Sequence, residues 1–442
     1  MSDLLNIGAS GLRAYSRALA TVGDNIANAQ TPGYARRTIE LREAPAAGDI
    51  VLSRNSIRPG GVETVGVRRS VDSWLAEDAR TATGEAQRSS AKLSWIDATE
   101  LSLDDGPGGI GQSMTRIFTT ADQLGSDPAN KTLRSQFLQS IDDTASAFRR
   151  TAENLSSAAN GVLQTATTTV DSINTDLAAL EKVNLGLRRA RAGSSNEATL
   201  LDERDRLLNR ISASVPVNAT YDARGAVTLS TSDGGYPLVA NGTVSTLAVS
   251  ALSDGRLEFA IAPGGVFVPS SGALAGHAQG ANHIADQRTA LDNLAAQFGN
   301  DLNNWNQSGL DANGNPGVTL LSGSTASTLM VAALSTDAVA TADASNTNGN
   351  ALQLSSLRGS GGPEAGWATL VAQQAQQAAS ARAQDAAAST RRDGAQAARD
   401  NISEVDLDRE AAELLRFQQA YEAAARTIQV ARETMQSILN IF

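Results

Sequence analysis

Apolar positions recur every seven residues at both ends of the chain. Near the start they are Leu5, Leu12, Leu19 and Ile26, with Gly8, Tyr15 and Val22 three residues after each of the first three. This 3-4 spacing predicts a helix from about Asp3 to Asn28 that carries a coiled-coil seam. Thr31-Pro32-Gly33-Tyr34 stops it, because Pro fixes φ for a first turn position and Gly tolerates positive φ at the next. Near the end Leu407, Leu414, Tyr421, Ile428, Met435 and Phe442 repeat at the same interval, with Phe417, Ala424, Ala431 and Ile438 interleaved. Ser403 with Asp406 reads as a capping box in which Asp replaces Glu, and Asp408 and Glu410 fall in the first turn, where the helix dipole favours acid.

The interior predicts further helices over about Asp72 to Leu103, Pro128 to Gly193 (as one or two helices), Ser195 to Ala213, Ala281 to Asn306 and Pro363 to Arg399. Leu133, Phe137, Ile141, Phe148, Leu155 and Val162 make one apolar stripe, continued by Val170, Ile173, Leu177 and Leu180. From Val215 to about Ser271 the period shortens to two, as in Leu257-Glu258-Phe259-Ala260-Ile261. Turn pairs Asp233-Gly234, Asn241-Gly242 and Asp254-Gly255 punctuate the runs. That texture predicts a small β domain, and short strands are expected again near Thr328 to Leu334. The layout is nested: helical ends bracket helical inner segments, which bracket a β insert. The expected fold is therefore mainly α with a β insert, divided as residues 1–36 with 400–442, 37–212 with 281–399, and 213–280.

Composition fits this. The 442 residues suit two or three domains, and only 4% are aromatic, so the cores lean on Leu, Ile, Val and Ala. The net charge of −11 disfavours nucleic acid as a partner. Without cysteine there is no disulfide and no thiolate metal site. The first residues lack a basic region and an unbroken apolar run, so no secretory signal peptide is expected, and no membrane span either.

Candidate chemistry is thin. Gly106-x-Gly108-x-x-Gly111 spells a dinucleotide fingerprint but follows a helical stretch rather than a strand, so it reads as a loop. Asp311-Ala312-Asn313-Gly314-Asn315 begins like a calcium loop, yet Pro316 stands where Gly is needed and Ser322 where Glu is needed. His277 and His283 are six residues apart, a spacing that does not put them on one helix face as ligands. The carboxylates of Asp202-Glu203-Arg204-Asp205-Arg206 alternate with arginines, as on a solvated helical face. No enzyme, cofactor or metal is expected.

The terminal stripes could simply cover a domain core. Against that, the first helix carries Gly8, Gly11 and Gly23, each costing roughly 1 kcal/mol relative to Ala. Such a helix orders when a partner covers it.

The ends also resemble a known family. Asp24-Asn25-Ile26-Ala27-Asn28-Ala29-Gln30-Thr31-Pro32-Gly33-Tyr34 is similar to the start of the flagellar rod, hook and hook-associated proteins. Val405-Asp406-Leu407-Asp408-Arg409-Glu410, Phe417-Gln418-Gln419-Ala420-Tyr421 and Ile438-Leu439-Asn440-Ile441 are similar to their end. Gly66-Val67-Arg68-Arg69-Ser70-Val71-Asp72, Leu201-Asp202-Glu203-Arg204-Asp205-Arg206, Gly309-Leu310-Asp311 and Asn348-Gly349-Asn350 resemble the hook-associated members at the hook–filament junction. The resemblance implies a ring of copies of the chain, with terminal helices as an inner tube, a helical domain outside them and a β domain facing outward. It implies hook protein and a second junction protein as neighbours, an export chaperone on the last helix, and export through the flagellar type III channel to the cell exterior. Larger members carry a further outer domain, for which residues 309–350 are too short. The expected assembly interface is Leu5, Leu12, Leu19 and Ile26 with Leu407, Leu414, Phe417, Tyr421, Ile428, Met435 and Ile438, in one subunit or between neighbours. A hook or distal rod protein is the alternative within the family. A secreted coiled-coil adhesin or translocator is the alternative outside it.

Overall fold

A computed structural model describes residues 2–44, 60–332 and 335–440. Leu334, Ile441 and Phe442, drawn into the sequence patterns above, lie outside the described residues. The chain forms two compact units. The first comprises Met1–Gly84, Ile173–Thr246 and Thr390–Phe442, and the second comprises Glu85–Ser172 and Leu247–Ser389. The fold is mainly helical with a β insert.

The first unit opens with α1 (Ser2–Ala27). Beyond it, the Asn28 amide donates to Asp24 O, and Thr31 and Tyr34 N–H groups close the turns that lead out. Gly33, at φ +79, adopts the left-handed geometry that the sequence assigns to it. An antiparallel hairpin follows, β1 (Arg37–Ala44) with β2 (Gly61–Arg69), pairing Arg37 with Arg69 and bulging between Glu40 and Leu41. The sequence reading did not anticipate this hairpin. Its strands alternate weakly, because most of their residues are only half-buried against α1 and α5.

The next helices are α2 (Ser73–Ser102), α3 (Ile110–Ser126), α4 (Lys131–Arg189) and α5 (Ser195–Ser214). The region from Pro128 to Gly193 proves to hold a single helix of 59 residues. At the start of α5, Ser194 Oγ accepts from the Glu197 N–H, and the Glu197 carboxylate accepts from the Gly193 N–H. Gly193, at φ +71, lies so close to Gly66 that a Cβ on it would come 2.9 Å from the Gly66 Cα.

The β insert consists of two sheets. In the first unit β3 (Val217–Tyr221), β4 (Val227–Thr231), β5 (Pro237–Ala240) and β6 (Thr243–Val244) pair in sequence order. Val227, Leu229 and Thr231 point inward with period two. Asn241 and Gly242, with φ of 52 and 85, make the turn between β5 and β6. In the second unit β7 (Thr246–Ala251), β8 (Leu257–Ala262) and β9 (Gly265–Phe267) form a three-stranded sheet.

The second unit's core gathers Phe137, Ile141, Phe148 and Leu155 of α4 with Met114 and Ile117 of α3. Against them pack Leu291, Phe298 and Trp305 of α6 (Gly272–Ser308) and Trp367 of α8 (Pro363–Ser403). The rings of Phe137 and Trp305 lie 5.5 Å apart, and those of Phe148 and Phe298 5.6 Å. From Leu133 to Leu155 the stripe read from the sequence is this core's α4 face, while Val162 packs with Ala281 and Ile284. Helix α6 begins nine residues before its expected start. Its Gly276 and Gly280 depress helix propensity, yet they let α6 approach α2 closely enough to touch the Arg88 carbonyl and the Trp95 side chain.

The described residues between 309 and 348 are mostly irregular, with two-residue strands β10 (Leu321–Ser322) and β11 (Met330–Val331). Buried amides hold them. Asn306 bonds the backbone of Val318 and Ala340, and Asn350 bonds that of Trp305 and Ala340. A short helix α7 (Gly349–Gln353) precedes α8, and α9 (Leu407–Leu439) ends the chain.

The motifs set aside in the sequence are structural. The Gly106–Gly111 run links α2 to α3, and the Asp105 carboxylate accepts from the Gly111 N–H where a phosphate would otherwise sit. Asp311 accepts from the Asn313 and Asn315 N–H groups in an ordinary turn. The cap of α9 differs from expectation. Asp406 is the N-cap and accepts from Asp408 and Arg409, while Ser403 ends α8 and bonds back to Arg399 O.

Candidate assembly interface

Helices α1 and α9 lie antiparallel against each other within the first unit. The buried positions of α1, against α9 and the hairpin together, are mostly small: Gly8, Gly11, Ala14, Ala18, Thr21 and Val22, with Asn25 at the end. A Cβ added at Gly8 would meet Ile428 Cγ1 at 2.6 Å, and one at Gly11 would touch the Ala424 Cβ at 3.4 Å. Further along, Tyr15 and Phe417 rings stand 6.5 Å apart. Small residues let the two axes come close, because interhelical distance follows the side chains at the contact.

The candidate residues are divided by this geometry. Leu414, Phe417 and Ile428 are half-buried on the side of α9 that meets α1. Leu5, Leu12 and Leu19 lie on the flank of α1, half-buried, and Ile26, Leu407, Tyr421, Met435 and Ile438 are exposed. Of the interleaved positions, Gly8 and Tyr15 meet α9. Leu4 and Ile7 add to the exposed apolar surface, and Leu415 and Val430 are 59% and 60% exposed on the outer face of α9.

A buried polar cluster anchors the pair at its base. Glu410 of α9, with a side chain 0% exposed, accepts from Arg36 Nε at 2.7 Å and from Asn25 Nδ2 at 2.9 Å. Asn25 also bonds both backbone groups of Arg37, and its Oδ1 accepts from the Tyr34 hydroxyl at 2.9 Å. Arg37 and Arg69 share Asp202 of α5 at 2.8 and 2.7 Å, and Arg69 reaches Asp205 at 2.7 Å. Burial pushes the Tyr34 hydroxyl up to about 12, helped by Asp24, Asp202 and Glu410 and opposed by Arg37. Burial alone would raise Asp205, but the guanidinium groups of Arg204 and Arg69 hold it below the usual carboxylate range.

Each carboxylate here faces a guanidinium rather than a nucleophile or a base, so the cluster fixes geometry. Among the described residues no group of three or more His, Cys, Asp or Glu could hold a metal ion.

Four of the strings that carried the family resemblance converge on this cluster. Asn25 and Tyr34 come from the first, Arg69 from the second, Asp202 and Asp205 from the third and Glu410 from the last. The sequence reading missed Arg36 and Arg37. Their signal was a pair of adjacent arginines one residue past Tyr34, after Ala35. It also assigned Glu410 to the helix dipole and Asp202 to a solvated face, whereas both are buried.

Comparison with known proteins agrees with these observations. The family model of the flagellar hook-associated protein FlgK helical domain matches residues 96–321, just over half of the chain. Models of the flagellar basal body rod FlgEFG protein C-terminal and of the flagella basal body rod protein match residues 397–441 and 5–34. Flagellar hook-associated protein 1 of Escherichia coli strain K12 is 26% identical over 72% of this chain and 59% of its own length. The protein of that name from Salmonella typhimurium is 27% identical over the same shares. That of Bacillus subtilis is 24% identical over 97% of this chain and 96% of its own. The chain thus spans about three fifths of the length of the enterobacterial relatives it matches. The flagellar hook junction protein FlgK of Burkholderia pseudomallei shares the fold with a TM-score of 0.50 at 22% identity, over 55% of this chain and 46% of that one. With both ends and the helical middle matched, the chain belongs to the FlgK family of flagellar hook-associated proteins.

Proposed function

We propose that this chain is a structural protein of the bacterial flagellum that builds the hook side of the hook–filament junction by self-assembly through its terminal helices. One observation carries the reading: α1 and α9 already pack against each other, yet leave Leu5, Leu12 and Leu19 only half-buried and Leu4, Ile7 and Ile26 of α1 and Leu407, Leu415, Val430, Met435 and Ile438 of α9 exposed. Large apolar side chains spaced along two helices suit burial against further copies of the same chain. The residues proposed for that interface are Leu5, Leu12, Leu19, Ile26, Leu407, Leu414, Phe417, Tyr421, Ile428, Met435 and Ile438, now joined by Leu415 and Val430.

The helical-domain match at residues 96–321 favours the junction over the hook or distal rod, with which the terminal matches are shared. The names of the relatives, hook-associated protein 1 and hook junction protein, support the same choice. Hook protein, a second junction protein and an export chaperone are the proposed partners. Export to the cell exterior without a cleaved signal peptide is the proposed route. No helix among the described residues is long and apolar enough to cross a membrane. A layered arrangement is proposed, with residues 1–36 and 400–442 innermost, 37–212 and 281–399 around them, and 213–280 outermost.

Replacing Leu12 and Leu19 together by Asp tests the role. The variant should keep its helicity by circular dichroism and be exported, but leave hooks without attached filaments in electron micrographs. Normal junctions would overturn the assembly role. A muramidase assay on the purified protein is expected to read no activity, and turnover there would reopen an enzymatic role.

A further inference from the structure

We infer that Glu410 is a positioning residue: its buried carboxylate sets the direction in which the α1–α9 pair leaves the hairpin and α5, and so the fit of that pair to a neighbouring copy. The second clause rests on the assembly role proposed above. The first stands by itself.

The position of the charge is the starting point. Among the described residues of α9 only Glu410 and Ala431 are buried. An apolar side chain could fill the site of Glu410 without removing a charge from water, so a carboxylate there implies a directional need.

Its two oxygens serve different segments. Oε1 takes Arg36 Nε from the strand leading into β1, and Oε2 takes Asn25 Nδ2 from the end of α1. Both partners are themselves fixed. Asn25 pairs with the N–H and C=O of Arg37 at 2.9 and 2.8 Å, like a strand neighbour. The Arg36 N–H donates to Ser403 O at the end of α8, and its carbonyl accepts from the Ser70 N–H just after β2. One carboxylate thereby joins α1, α9 and the hairpin, and Arg36 carries the tie on to α8.

The apolar part of the pair, Gly8 and Gly11 against Ile428 and Ala424 with Tyr15 beside Phe417, carries no directional bond. Ser10, whose Oγ accepts from the Val62 N–H, ties α1 to the hairpin but does not reach α9. Buried polar groups in helical assemblies are known to select register at a cost in stability.

The absence of cysteine makes a direct test practical. Asn196→Cys at the start of α5 and Gln419→Cys on α9, both at exposed positions, accept nitroxide labels for a pulsed electron-spin distance measurement on the full chain. The background carrying Glu410 should give one narrow distance peak. Glu410→Gln should broaden it about twofold and lower Tm by about 10 °C, because Arg36 is left as an unpaired buried charge.

The decisive variant is Arg36→Met with Glu410→Leu, since an apolar pair of similar volume restores stability without restoring direction. We expect it to recover the original Tm and helicity, keep the broad distribution, and give irregular junctions in cells. A narrow peak and regular junctions in the apolar double variant would make Glu410 merely structural and overturn the inference. A broad peak with Glu410 intact would also overturn it, since there would be no fixed direction to set. Narrow and broad peaks as expected, together with normal junctions in the Leu12→Asp, Leu19→Asp variant, would leave the positioning intact and remove the assembly role instead.

Discussion

The indole N–H of Trp95 can only donate, so the Nδ1 of His277 that it reaches at 3.0 Å must carry a lone pair. Burial adds to this constraint and pushes His277 down to about 4 from 6.5. His283 moves the same way for the same reason, with the hydrogen bond to Gln374 and the charge of Asp286 partly offsetting burial. A folded pKa below the unfolded one gives stability that is complete above about pH 6.5 and is lost as pH falls towards 4, because the unfolded chain takes up the proton first. For His277 the full loss is on the order of 3 kcal/mol. Thermal unfolding of the second unit should therefore fall steeply between pH 6.5 and 4. His277→Asn, which still offers Trp95 an acceptor, should flatten that fall. An equal fall in the variant would move the cause elsewhere.

Glycines separate in the same residue-by-residue way. A Cβ at Gly23 would meet nothing within 4 Å, so Gly23→Ala should stabilise α1 by about 0.5–1 kcal/mol through helix propensity alone. Gly8→Ala should lose that gain, because its methyl lands on Ile428. Denaturation of the two variants side by side reads the difference, and an equal gain in both would contradict the close α1–α9 contact.

At the scale of elements, long periodic helices were legible and glycine-rich starts were not. The stripe from Phe137 to Val162 lies on α4 where the spacing put it, because large side chains at helical spacing have one place to go. Helix α3 escaped notice behind Gly106, Gly108, Gly109 and Gly111, which read as an uninterrupted loop. The first turns of α6 were hidden by Gly272, Gly276 and Gly280. In α6 the glycines are there for contact. A Cβ at Gly276 would run into the Arg88 carbonyl oxygen and come within 2.6 Å of the Ala91 Cβ, and backbone yields less than a side-chain tip. Gly276→Ala should cost roughly 1–3 kcal/mol as overpacking. A shift of Tm in calorimetry measures it, and a neutral result would mean that α2 and α6 separate easily.

The candidate interface was legible for a related reason and incomplete for another. Seven-residue spacing singled out both terminal helices, and Leu414, Phe417 and Ile428 do face α1. The α1 half of the contact runs through Gly8, Gly11 and Tyr15, which hydrophobicity ranks below the leucines beside them. The ion cluster at the base could not be read from spacing at all. Glu410 and Arg36 stand 374 residues apart, and only folding reveals that they meet.

At the scale of the whole molecule, the first of two compact units carries a terminal helix pair that exposes large apolar side chains along its length. In the proposed assembly Leu415, Val430, Met435 and Ile438, exposed on the single chain, would gain a partner, and the family match favours the junction of hook and filament as the setting. The most direct test is an electron cryo-microscopy map of that junction, resolved well enough to trace α1 and α9 in adjacent copies. Leu5, Leu12, Leu19 and Ile26 of one copy should lie in van der Waals contact with apolar side chains of a terminal helix of the next, with Gly8 and Gly11 still closed on Ala424 within the copy. A map in which those leucines face solvent, or in which the terminal helices of neighbouring copies do not touch, would contradict assembly through the terminal helices.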